Sequence, residues 1–219
     1  MHEIIDTEIN VRSRVYTGSR ELDDLLNIID RFYLIYGEPG SGKTNLVSKI
    51  TRESLARGSR VVYICTEGSV NIEPLIRDPN VLDKDLLIVF PKSLSELLLS
   101  VLEIFSLDQE IIVIDSINHL YRIEGGYSHR SNEIFTSIVS LLHYLSRNEK
   151  RFVFATAQVR ETEEGLEPSG IAFLEFYKPY KIRVSKRSNN FFEMFLERDN
   201  KIFRFYINRN NDLIWSSLE

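Results

Sequence analysis

Residues 37–44 read Gly-Glu-Pro-Gly-Ser-Gly-Lys-Thr, an ungapped G-x-x-x-x-G-K-[ST] pattern. Such a loop has to leave a β-strand and open an α-helix, because only then do several backbone N–H groups converge at the positive end of the helix dipole. Both flanks comply. FYLIYG (32–37) is a near-continuous apolar run, the pattern of a strand buried on both faces. Residues 43–57 carry Leu46, Val47, Ile50 and Leu55 at helical spacing and stop at Gly58, a C′ glycine. Within the loop, Gly37, Glu38, Pro39, Gly40, Ser41 and Gly42 would cradle phosphate oxygens through the main chain. Lys43 would reach the β- and γ-phosphates, and Thr44 would offer its hydroxyl to Mg²⁺. The implied cofactors are ATP and Mg²⁺.

The alternation of strand and helix continues. RVVYIC (60–65), LLIVF (86–90), EIIVID (110–115) and RFVFATAQ (151–158) read as strands. Residues 19–29 place Leu22, Leu25, Leu26 and Ile29 at helical spacing. Ser93 and Glu96 form a capping box before a helix reaching about Phe105. Residues 131–147 align Ile134, Phe135, Ile138, Leu141, Leu142 and Leu145. This order predicts an α/β fold, a mainly parallel central sheet with helices on both faces. From about Phe173 the pattern changes. KIRVSKR, FFEMFLER, KIFRFYIN and LIW are separated by turn signals at Ser188–Asn190, Asp199–Asn200 and Asn208–Asp212. They predict C-terminal antiparallel hairpins on one sheet edge. The expectation is one domain over 1–219, with an N-terminal arm (1–16) and a C-terminal β extension (173–219).

A phosphate loop needs acidic and polar partners at the ends of neighbouring strands, which gather at the ligand crevice of such a sheet. EIIVID ends in Asp115, placed to hold a Mg²⁺-bound water, although an aspartate there also caps turns. YICTEGS (63–69) ends in Glu67, a candidate base for the attacking water. Gln158 ends the 151–156 strand on the same rim and would sense a γ-phosphate. Position alone does not separate Glu67 and Gln158 from ordinary loop side chains.

Composition narrows the classes. Asp plus Glu is 32 against 27 Lys plus Arg, a net charge of −5, so this is no globally basic nucleic-acid coat. The single cysteine, Cys65, excludes an intrachain disulfide. The apolar runs are too short to span a membrane, and MHEIIDTEIN lacks the form of a signal peptide. A cytoplasmic protein is expected.

Taken in order, these motifs resemble the ATPase core of the RecA/RadA recombinase superfamily, and within it the short archaeal RadA paralogues, the RadB- and RadC-like proteins. YTGSRELDDLL (16–26) resembles the Thr-Gly-x-x-x-Leu-Asp segment before that family's phosphate loop, and GEPGSGKT its Walker A motif. VVYICTEGS resembles its strand ending in Thr-Glu-Gly, IIVIDSI (111–117) its Walker B strand, and FATAQVRE (154–161) the strand whose glutamine couples γ-phosphate to DNA. The resemblance implies a P-loop NTPase of RecA type with Lys43, Glu67 and Gln158 as catalytic residues and Thr44 and Asp115 on the metal. It implies that the 151–156 strand lies between the phosphate-loop and Walker B strands. It also implies two DNA-contacting loops, 122–132 and 159–170.

The chain departs from that pattern in places. About sixteen residues precede the Thr-Gly segment, which leads us to expect no helical N-terminal DNA-binding domain and no linker motif for subunit docking. The second loop carries Glu161, Glu163, Glu164 and Glu167 against Arg160, a balance that repels phosphate. The proline-containing ATP cap is reduced to LERDNK (196–201). Residues 178–219 hold nine basic and five acidic residues, a local excess of positive charge. Tyr127, His129, Arg130, Arg160, Lys181, Arg183, Lys186 and Arg187 are the candidate contacts to single-stranded DNA. KIRVSKR equally suits an ordinary half-buried edge strand, where lysines block aggregation. The resulting expectation is a slow ATPase of DNA recombination and repair that contacts single-stranded DNA, assists or regulates a full recombinase, and forms a homo-oligomer. A residue from a neighbouring copy, Lys186 or Arg187, would complete its site. The alternatives are a KaiC-like signalling ATPase and an ATP-switched, non-catalytic interaction module.

Overall fold

The computed structural model describes residues 14–28, 31–68, 72–76, 78, 81, 84–125, 128–148, 150–162 and 165–216, the side chains of 74, 161, 162, 165 and 166 excepted. The strands are β1 (Phe32–Gly37), β2 (Val61–Cys65), β3 (Leu86–Val89), β4 (Ile111–Asp115), β5 (Phe152–Thr162), β6 (Gly165–Pro168), β7 (Tyr180–Lys186), β8 (Phe191–Leu196), β9 (Lys201–Ile207) and β10 (Leu213–Trp215). The helices are α1 (Arg20–Ile28), α2 (Lys43–Leu55), α3 (Glu73–Ile76), α4 (Leu94–Glu103), α5 (His119–Ile123), α6 (His129–Arg147) and α7 (Ile171–Phe176).

The strands form a ten-stranded sheet in the order β10-β9-β8-β7-β1-β5-β4-β2-β3, with β6 paired to β5. β3, β2, β4, β5, β1 and β7 run parallel. β7 to β10 are antiparallel to one another. The Gln158 strand, β5, lies between β1 and β4, as the resemblance implies.

Parallel strands covered on both faces need apolar residues at every position, and β2 and β4 are buried along their whole length. The sheet separates two cores. On one face, Tyr33, Ile35, Tyr63 and Val113 pack with Leu22 and Leu26 of α1 and Leu46, Val47 and Ile50 of α2. On the other, Leu34, Ile64, Ile112 and Ala155 pack with α4 and α6 through Leu94, Leu97, Val101, Phe135, Ile138 and Leu142.

The end signals of the helices are also physical. Ser93 Oγ accepts from Glu96 N–H at 3.1 Å, while Glu96 Oε2 accepts from Lys92 N–H at 2.7 Å, so the box closes one residue early. Gly58 N–H bonds Leu55 O and Ser59 N–H bonds Ser54 O, both at 3.0 Å, the Schellman closure of α2. The Thr-Gly-x-x-x-Leu-Asp segment is a closed turn: Asp23 Oδ1 accepts from Thr17 N–H at 2.6 Å and from Thr17 Oγ1 at 2.7 Å. Of the N-terminal arm, residues 1–13 lie outside the described residues. Val15, further along it, is buried and is held at both N–H and C=O by Asn27.

Three expectations change. The second DNA loop is a hairpin, because β5 continues to Thr162 and pairs with β6 from Val159↔Pro168 to Thr162↔Gly165. His129 and Arg130 are not in a loop, since Ser128 Oγ accepts from Ser131 N–H at 3.0 Å and starts α6 there. The C-terminal strands begin at Tyr180, because Ile171–Phe176 forms α7 and buries Leu174.

Candidate functional site

The phosphate loop turns between β1 and α2 with Gly42 in the left-handed region (φ 92°) at the N-cap of α2. Gly37 has no room for a side chain, since a Cβ there would lie 2.1 Å from Val184 O on β7. Lys43 is buried and folds back over the loop. Its Nζ donates to Gly37 O and Glu38 O at 2.8 Å each and lies 3.4 Å from Ser41 Oγ. Burial pushes its pKa down, and the negative charges of Asp115, Glu67 and Glu38 oppose that.

Asp115 closes β4 beneath the loop, 5% exposed. Its Oδ2 accepts from Tyr63 Oη at 3.0 Å and its Oδ1 from Thr156 Oγ1. Burial raises its pKa. Hydrogen bonds from Thr156, Thr44 and Tyr63 resist that shift, and the charge of Glu67 adds to it. The same burial lifts the Cys65 thiol to about 11, with Asp115 contributing, so this cysteine stays a protonated, inert group near neutral pH. The Asp115–Ser116 peptide is cis.

Glu67 stands after β2. Its Oε1 accepts from Ser116 Oγ at 2.6 Å and from Gln158 Nε2 at 2.8 Å. Gln158 Oε1 in turn accepts from Arg122 Nη1 on α5. Asn118 holds the Gln158 main chain on both sides, accepting its N–H at 3.1 Å and donating to its C=O at 2.9 Å.

Pro39, Gly40, Gly42, Lys43, Thr44, Glu67, Asp115 and Gln158 all line one cleft of about 430 Å³. Gly37, Glu38 and Ser41 complete the loop behind it. Asn45, Ser48, Arg52, Leu75 and Asn211 also line the cleft and escaped the sequence reading. Asn45, Ser48 and Arg52 follow Thr44 along α2 toward the outer end of the cleft. Arg52 is held by Asp212 at 2.6 Å and Asp78 at 3.4 Å, and Asn45 Nδ2 donates to Asn211 O at 3.0 Å. The β9–β10 turn therefore walls that end, while LERDNK is the distant β8–β9 turn, with Leu196 paired to Lys201.

The donor set suits a magnesium nucleotide. Among the described residues no group of three or more His, Cys, Asp or Glu side chains forms a metal cage. Mg²⁺ in phosphoryl-transfer sites needs none, since it keeps water and takes one or two protein oxygens beside the phosphates. Thr44 and the buried Asp115 offer that pair in the cleft beside the loop. The charges of Asp115, Glu67 and Glu38 partly offset the cost of burying the Lys43 ammonium, whose Nζ lies over the loop.

The candidate DNA contacts are not gathered into one groove. Tyr127 lies outside the described residues. His129 is exposed and pairs with Glu133 at 3.4 Å on α6, and Arg130 is exposed beside it. Arg160 lines a second cavity of about 500 Å³ with Arg122, Asn132, Tyr121 and Phe173. Arg183 and Arg187 flank the outer side of the phosphate loop, near Tyr36 and Glu38. Arg187 is paired with Glu193, which also holds Arg204 at 3.0 Å. Lys186 is exposed. Lys181 lies at the opposite end of β7, paired with Glu175.

A parallel sheet with the Gln158 strand inserted beside β1, a phosphate loop capping α2 and a buried acid ending β4 define a P-loop ATPase. A family model described as the ATPase family associated with various cellular activities (AAA) matches residues 33–172. The chain is 34% identical over 161 residues to a DNA repair and recombination protein RadB of Methanococcus maripaludis, covering 69% of this chain and 74% of that protein. It is 32% identical over 164 residues to the RadB of Methanosphaera stadtmanae, covering 69% and 71%. To the RadB of Methanococcoides burtonii it is 28% identical over 193 residues, covering 80% and 84%. The chain belongs to the RadB family of RecA/RadA-type P-loop ATPases. Among the described residues no helix is long and apolar enough to cross a membrane.

Proposed function

We propose that this protein is a Mg²⁺-dependent ATPase of DNA recombination and repair that contacts single-stranded DNA weakly and assists or regulates a full recombinase. The observation that carries the reading is the convergence of Lys43, Thr44, Asp115, Glu67 and Gln158 on one cleft. In this reading the loop amides and Lys43 bind and orient the phosphates. Thr44 and Asp115 would hold Mg²⁺, which when bound would supply charge neutralisation to the phosphates. Glu67 orients the attacking water and takes its proton, with Gln158 beside it. The RadB relatives named above support the DNA-repair assignment, and the cations flanking the second cavity and the loop support the DNA contact.

The deciding experiment is the ATPase rate with and without single-stranded DNA over a salt series. Stimulation is expected, with binding that weakens with salt by a slope of about 0.7 per phosphate contact. Lys43→Ala is expected to abolish turnover, and Glu67→Gln to keep ATP binding while losing turnover. No DNA binding at low salt favours the second reading, a signalling ATPase or nucleotide-switched module. The pairing of Lys181 and Arg187 with carboxylates speaks for that reading, since both cations are already partly neutralised.

A further inference from the structure

Arg122 is exposed on α5 and, among the described residues, reaches the cleft through Gln158. A glutamine side chain has two ends of similar size and opposite polarity, so shape does not choose its orientation. The main chain of Gln158 does not choose it either, because Asn118 fixes its N–H and C=O and leaves the side-chain torsions open. What chooses is polarity. The guanidinium donates to Oε1 and, with the Glu67 carboxylate drawing the NH₂ group to 2.8 Å from its Oε1 at the other end, locks the amide in one orientation. The reversed amide would set a carbonyl against a carboxylate and an NH₂ group against a guanidinium.

The consequence falls on Glu67. Its Oε1 takes two hydrogen bonds, from Gln158 and from Ser116, while among the described residues its Oε2 takes none. Oε2 is left as the oxygen that can receive a proton from water.

We propose that Arg122 is a positioning residue for ATP hydrolysis: its hydrogen bond sets the polarity of the Gln158 amide, which holds Glu67 by Oε1 and presents Oε2. This rests on the reading of the cleft as an ATPase site with Glu67 as base.

The chain has two glutamines, Gln109 and Gln158, so isotopic labelling of glutamine side chains gives two NH₂ signals in nuclear magnetic resonance, assigned with Gln158→Ala. Arg122→Ala is expected to shift and broaden the Gln158 signal and leave that of Gln109 in place. Arg122→Lys, which keeps a charged donor, is expected to leave both near wild type. In ATPase assays without nucleic acid, Arg122→Ala lowers kcat about tenfold, the scale of one lost charge-assisted hydrogen bond, at unchanged KM for ATP. Arg122→Lys recovers most of that loss, and Arg122→Ala adds nothing in a Gln158→Ala background. An unmoved Gln158 signal in Arg122→Ala overturns the proposal whatever the chain hydrolyses, and so does an additive loss in the double variant. Lys43→Ala separates the two readings. If it abolishes turnover while Arg122→Ala keeps full kcat, the positioning role fails and the ATPase reading stands. A wild-type chain that hydrolyses no ATP sinks the ATPase reading, and the Gln158 signal still decides the orientation.

Discussion

Asp115 is the costliest residue of the cleft to keep charged. Burial raises its pKa, so the folded chain holds its proton at pH values where the unfolded chain has already lost it. Between the unfolded value near 3.8 and the raised folded value, rising pH therefore drains stability from the ligand-free protein. Asparagine has no such cost, and the hydroxyls of Tyr63 and Thr156 accept as readily as they donate, so both can still bond it. Asp115→Asn is expected to raise the stability of the nucleotide-free chain by about 1 to 2 kcal/mol at pH 7. That advantage grows as pH rises from the unfolded value to the folded one and is constant above it. The same variant is expected to lose the extra stabilisation that Mg²⁺ gives with ATP. Denaturant melts at several pH values, with and without both ligands, check the two halves. At this scale the sequence was legible where spacing is local. Lys43 and Thr44 follow from one contiguous motif, and Asp115 from the end of one apolar strand. Tyr63 and Thr156 were not legible, because they reach Asp115 only through the β2–β4 and β4–β5 registers. Arg122 was hidden for the same reason: its partner is 36 residues away.

Between the β5–β6 hairpin and α7 the chain turns on Gly170, in the left-handed region at φ 78°. A Cβ there would meet Phe135 Cε1 at 2.8 Å and Cζ at 3.3 Å. Phe135 cannot swing away. It is fully buried, stacked on Tyr121 at 4.5 Å and edge-on to Phe173 at 6.0 Å. Gly170→Ala therefore combines a strained backbone with an overpacked ring and is expected to cost about 2 to 4 kcal/mol. The measurement is a fall in urea midpoint at unchanged m. This junction also marks the limit of what pattern reveals about elements. Strands buried on both faces announce themselves as apolar runs, which is why β1, β2, β4 and the start of β5 were legible. The outer half of β5 reads VRET and its partner β6 reads GLEP, polar segments that become strands only by pairing with each other. At six residues, α7 is too short for helical periodicity to rise above the strand-like look of its aromatics.

Across the whole molecule, the C-terminal strands do more than extend the sheet. Val184 O closes against Gly37, and a Cβ on Gly42 would touch Phe205, Ile207 and Phe192 at 3.3 to 3.4 Å. Phe205 is edge-on to Trp215 at 5.8 Å, and Trp215 Nε1 donates to Thr17 O at 2.8 Å, beside the closed Thr17–Asp23 turn. The last strand and the first described segment thus meet behind the phosphate loop and hold its shape. Trp215→Ala removes the ring that joins them and is expected to cost about 2 to 3 kcal/mol, less than a fully buried aromatic because Trp215 is half-buried. A ligand that binds only the folded chain adds about 2.7 kcal/mol at a hundred times its Kd. If the rings behind Gly42 set the loop, their loosening raises the Kd as well. At one fixed concentration of ATP and Mg²⁺, the thermal shift in Trp215→Ala is then smaller than in wild type, on top of a lower starting midpoint. Lys43→Ala should lose the shift without the same fall in midpoint, since Lys43 buries a partly compensated charge rather than an apolar core. Equal shifts in wild type and Trp215→Ala would mean that the C-terminal strands support the fold without shaping the nucleotide site.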